Sequence, residues 1–123
     1  MVIILRLISH YWCLLTAILL LLITLLSLWP AVQLPLVPGT DKTHHVIAYA
    51  VLMLPAAIRR PSYWLWVAAG FIAYSGMIEL LQPFVNRYAE WLDLLANALG
   101  VVCGGLIGYG LHTLGRVKTN CRK

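Results

Sequence analysis

The chain is built from apolar runs broken by proline-rich or charged punctuation, and this alternation constrains its fold more than any other feature. The clearest run, Leu14 to Leu28, carries no charged residue. A backbone inside a bilayer has to satisfy its own hydrogen bonds, so such runs become helices. Four spans are expected, at about 8–29, 42–58, 63–82 and 91–114. Each lies within or near the ~17–25 residues that cross the hydrocarbon. Of the 123 residues, 62% are hydrophobic and 11% charged, which is too apolar for a soluble domain. That length holds a single domain of three or four spans and little else.

The breaks between runs have identifiable causes. Pro30, Pro35, Pro38 and Gly39 end the first helix, and Thr40 or Asp41 can cap the second by accepting from its free first-turn amides. Pro55 sits near the inner end of the second helix, which Arg59, Arg60 and Pro61 close. Tyr63, Trp64 and Trp66 open the third helix with aromatic rings suited to a membrane interface, and Pro83 ends it. Arg6 ahead of the Leu-rich run resembles the start of a signal peptide, but the run is long and no small-x-small cleavage site follows. It is read as an uncleaved first span whose Leu face meets lipid and whose Thr16, Thr24 and Ser27 hydroxyls return to the preceding turn. Cys13, Cys103 and Cys121 are odd in number and far apart, so no disulfide framework is read.

Charge sorts by side. Arg6, Arg59, Arg60, Arg116, Lys118, Arg122 and Lys123 fall on one side of the expected spans, and Lys42 and Arg87 on the other. This bias predicts both termini in the cytoplasm. The acidic residues Asp41, Glu79, Glu90 and Asp93 then gather at the outer face or just beneath it. Four basic residues beside a membrane are topogenic, and without interleaved aromatics the tail gives no nucleic-acid signal.

The polar residues within the apolar runs are the candidate site, because an intramembrane carboxylate is costly and usually partnered. Asp41, His45 and Tyr49 lie on one helical stripe, Glu79 and Gln82 on another, and Asp93, Asn97 and Gly100 on a third. His44 points about a hundred degrees away from the first stripe and reads as interfacial. Each group also has a structural reading: Asp41 as a cap, His45 as interhelical glue, and Glu79 as a hydrogen-bond partner of Asn97 or Arg87. His45, Glu79 and Asp93 are the candidates for moving a proton. Asp41, Lys42, Tyr49, Gln82, Arg87 and Asn97 complete a candidate ligand-binding set. Arg87 with Lys42 has the chemistry to hold an anion. The chain has no HxxxH, HExxH or CxxC, so neither a metal nor a cofactor is expected. Gly100, Gly104 and Gly108 repeat every fourth residue, as in helices that pack backbone to backbone.

The pattern Asp41-Lys42-x-x-His45-x-x-Ala48-Tyr49, then Glu79-x-x-Gln82, Arg87, and Asp93-x-x-x-Asn97-x-x-Gly100, resembles the VanZ-like family. These are small bacterial membrane proteins named after one linked to low-level teicoplanin resistance. The resemblance covers Asp41 to about Gly108, and the combined motif is specific although each piece alone is weak. It implies a cell-envelope role in the bacterial inner membrane, touching a cell-wall precursor or the glycopeptide at the outer face. It supplies no reaction.

The expectation is therefore an all-α polytopic protein, a bundle of four transmembrane helices with both termini inside. Its partners are membrane lipids and an envelope ligand, with a polar pocket at the outer face for a polar or anionic group. A membrane-embedded hydrolase or transferase using His45 with Glu79 or Asp93 is the first alternative. A structural or partner-binding module is the second.

Overall fold

The computed structural model describes residues 2–29 and 41–120, with side chains for 3–29 and 41–115. The punctuation at Pro30, Pro35, Pro38, Gly39 and Thr40 lies outside the described residues, as do Cys121, Arg122 and Lys123 and the side chains of Arg116 and Lys118. The described chain is helical, with no strand. Its elements are α1 (Val2–His10), α2 (Trp12–Leu28), α3 (Asp41–Arg59), α4 (Trp64–Leu81) with a 3-10 turn (Gln82–Val85), and α5 (Trp91–Asn120).

Two segments, Trp64–Val85 and Trp91–Gly115, are long and apolar enough to cross a membrane. A third is gained if α1 and α2, which meet at an angle of 73°, form one broken span. The first expected span is therefore not one straight rod from residue 8. The chain turns at Tyr11, whose ring packs edge-on against His10 at 4.6 Å. Helix α3 forms where the second span is expected and, at 19 residues, is long enough, but it is less apolar than the two segments above. Asp41, Lys42, His44 and His45 at its start and Arg59 at its end dilute its apolar middle.

The helices alternate in direction. Trp12 lies by Tyr63, the hydroxyls of Thr24 and Tyr74 are hydrogen-bonded, and Ser27 faces Gln82, so α2 and α4 run parallel. Helices α3 and α5 also run parallel to each other, since Gly100 meets Val46, Gly104 meets Ala50 and Gly108 meets Ala57. This contact is the most extensive in the molecule. A Cβ on Gly100 would overlap the Val46 carbonyl oxygen, one on Gly104 the Ala50 carbonyl, and one on Gly108 the Ala57 Cβ. The glycine stripe therefore packs backbone against backbone, where dispersion and not the hydrophobic effect draws helices together in lipid. Tyr49, Leu52, Met53, Ala56, Phe71 and Val101 fill the core around it. Leu14, Ile18, Leu21, Leu22 and Leu25 are exposed, as a lipid-facing side of α2 requires. The Thr24 hydroxyl does return to the Leu20 carbonyl, at 2.7 Å. Thr16 differs: its hydroxyl is buried with no partner among the described residues.

Beyond α3, Arg60 takes a left-handed φ of 50°, a conformation uncommon outside glycine and asparagine, and its amide donates to the Ala56 carbonyl at 2.7 Å. Its guanidinium lies 4.5 Å from the Tyr109 ring centroid and 5.8 Å from that of Trp64, which anchors the turn by cation–π contact.

Candidate functional site

The first turns of α3 and α5 and the last turn of α4 converge at one end of the molecule. They bring together the residues that the sequence spacing singles out. Asp93, Asn97, Glu79 and Gln82 are 3, 2, 7 and 1% exposed, so the stripes on α4 and α5 do point inward. The burial of Asp93 and Asn97 follows from the glycine stripe, because Asn97 sits one turn before Gly100 on the packed face of α5.

A hydrogen-bonded chain crosses the three helices. His45 Nδ1 lies 2.9 Å from Asn97 Oδ1, and the Asn97 amide donates to Ser75 Oγ at 2.6 Å. Because Asn97 Oδ1 can only accept, His45 Nδ1 carries the proton of this bond. Its Nε2 then faces Asp93 Oδ2 at 3.7 Å. Tyr49, one turn below His45, also bonds Ser75 and is buried.

Both cations at this end already have partners. Lys42 donates to Glu90 Oε2 at 2.7 Å and lies 3.7 Å from Asp93 Oδ1. Hydrogen bonding to the Lys42 ammonium, reinforced by its charge, holds the Glu90 carboxyl below the usual carboxylate range. The pair therefore persists at neutral pH and is lost only as pH falls through that lowered value. Arg87 donates to the Leu26 carbonyl at 3.2 Å, tying the loop to the end of α2.

Glu79 bonds neither Asn97 nor Arg87. Both of its carboxyl oxygens are buried and have no hydrogen-bond partner among the described residues. It lies close enough to feel the charges of Asp93, His45 and Arg87, and the Glu90 backbone amide is turned toward it without reaching hydrogen-bond geometry. Gln82 Oε1 and Asp93 Oδ1 are likewise buried without a hydrogen-bond partner. An unpaired buried polar group costs free energy, so these oxygens are where a ligand, a water or a proton gains most. Asp41, His45 and Asp93 each offer one ligand atom within 4.8 Å of the others, a grouping able to hold a cation. No linear metal motif announces it, because Asp93 comes from a different helix.

Ser75 is the member of this network missing from the sequence reading. Its signal was its place four residues before Glu79, on the same face of α4. His44 is half-buried beside the cluster. A cavity of about 540 Å³ opens at the opposite end of the molecule, away from the carboxylates.

A family model described as VanZ/LLP1 matches residues 7–114. No curated protein and no solved structure matches the chain.

Proposed function

Since the chain belongs to the VanZ/LLP1 family, we propose that it is a single-domain protein of the bacterial cytoplasmic membrane whose polar cluster binds a polar group of an envelope molecule. In this reading α2 to α5 form a bundle that crosses four times, both termini are cytoplasmic, and the cluster faces outward. Helix α3 is carried across by its close contact with α5. The ligand is a lipid head group, a cell-wall precursor or a glycopeptide, and the link to teicoplanin comes from the family resemblance. Glu79 carries the proposal, being buried with both carboxyl oxygens unpartnered among the described residues, while Lys42 is paired with Glu90 and Arg87 donates to the Leu26 carbonyl. A ligand that brings donors, such as hydroxyl, amide or ammonium groups, satisfies it better than an anion.

The test compares Glu79→Gln and Asp93→Asn with wild type in cells whose glycopeptide susceptibility changes on expression. Membrane abundance is measured on the same samples. The expected result is lost phenotype at unchanged abundance for Glu79→Gln, and a partial loss for Asp93→Asn. Full activity of both variants would assign these residues to helix locking and leave the structural module standing.

A second reading is favoured by the grouping of Asp41, His45 and Asp93. A divalent cation held there would bridge α3 and α5 with oxygen and imidazole ligands. Metal analysis of the purified protein should then find one equivalent that His45→Ala removes. Hydrolase or transferase chemistry has less support. The 3.7 Å between His45 and Asp93 exceeds the ~2.6–3.2 Å reach of direct proton transfer or orientation.

A further inference from the structure

The cavity of about 540 Å³ lies where α1, the start of α2 and the ends of α3 and α5 meet. Arg6, Ser9, His10, Trp12, Arg59 and His112 are among its lining residues. All four carboxylates of the chain, Asp41, Glu79, Glu90 and Asp93, stand at the other end, so the cavity has two guanidiniums, two imidazoles and no countercharge from an acidic side chain. Arg6 and Arg59 make no ion pair or side-chain hydrogen bond with any described residue. Arg60, the next residue along, lies against the Tyr109 and Trp64 rings. His112 Nδ1 donates to the Ile58 carbonyl at 2.8 Å, which fixes its ring and leaves Nε2 without a partner among the described residues.

The surroundings place this cavity at a membrane interface. Helix α1 turns 73° from α2. Ile3, Ile4 and Leu7 are exposed along one side of α1, while Arg6 and His10, four residues apart, line the cavity. An apolar outer side with a basic inner side is the pattern of a helix lying in the interface plane. Trp12 and Tyr63, 6.5 Å apart at the same end, add the aromatic anchors expected at that depth.

We propose that this basic cavity is a phosphate-binding site that takes the phosphate of an anionic lipid head group. Guanidinium forks match phosphate oxygens in geometry and charge, and two of them stand unpaired in a recess of head-group size. The α1 helix serves as one wall of the site, so the bend at Tyr11 builds the recess.

The full-length protein in nanodiscs supplies the test. Lipid retained by the protein is counted by native mass spectrometry from discs of phosphatidylcholine doped with phosphatidylglycerol, for wild type, Arg6→Gln, Arg59→Gln, the double variant and Arg60→Gln. Monodisperse elution and helical content confirm folding of each. Phosphatidylglycerol retention should fall about tenfold per cavity guanidinium removed. Arg60→Gln, with the same loss of charge one residue away, should retain it. A parallel detergent arm titrates inorganic phosphate. Phosphate binding that needs both arginines, without a preference for phosphatidylglycerol, would support the phosphate site but overturn the lipid as its source. Equal retention and equal phosphate binding in wild type and the double variant would overturn the site altogether.

Discussion

Asn97 is the side chain on which three helices meet. Its oxygen holds the His45 ring and its amide holds Ser75. Asn97→Ala should therefore take a hydrogen-bond partner from His45 and from Ser75 at once, leaving Ser75 only Tyr49. Interhelical hydrogen bonds in membranes average ~0.6 kcal/mol, so a loss of roughly 1 kcal/mol is expected. Thermal or detergent unfolding measures it, and Ser75→Ala should show part of the same loss. If Asn97→Ala were as stable as wild type, the His45–Asn97–Ser75 chain would contribute nothing to the bundle. The inward face of Asp93 and Asn97 was legible in the sequence because i, i+4 spacing is a local property of one helix. Their partners were not. Whether Glu79 meets Asn97 or stays unpaired depends on the register between α4 and α5, which no spacing within either helix encodes.

At the scale of elements, the parallel pair α3 and α5 depends on glycines that have no room for a side chain. Gly104→Leu should disrupt the bundle and lower membrane abundance severalfold, since its Cβ alone would overlap the Ala50 carbonyl. Gly110→Leu is the matched control, because nothing lies within 4 Å of where its Cβ would be. Equal abundance of the two variants would show that the stripe is not a packing surface. The stripe could be read from the sequence, as could the presence and type of α3, α4 and α5. The break between α1 and α2 could not. No proline or glycine marks it, and it falls where α1 nears the ends of α3 and α5, which the local sequence does not encode. The basic cavity was not legible either, since Arg6 and Arg59 are distant in sequence and read singly as flanking charge, and His112 stands alone in an apolar run.

Across the whole molecule, the carboxylates collect at one end and the unpaired arginines at the other. Combined with the charge bias of the sequence, this segregation predicts that Arg87 faces outward and Lys123 inward. Single cysteines placed at these two positions, in a background lacking Cys13, Cys103 and Cys121, should be labelled by an impermeant reagent from opposite sides. Labelling of the tail from outside would reverse the topology and move the polar cluster to the cytoplasmic face.

The parallel packing of α3 and α5 also carries a consequence for biogenesis. The partners Gly104 and Ala50 are separated in sequence by the whole of α4 and its flanking loops. A chain emerging from the ribosome from its N-terminus makes α3 well before α5 exists to cover it. During that interval His45 lacks Asn97, Ser75 lacks its donor, and the backbone of Ala50 faces whatever is nearest. The polar cluster thus comes into being only once α5 has been made. A nascent chain arrested before α5 should be held by the insertion machinery or degraded, and should not wait in the membrane as a stable half.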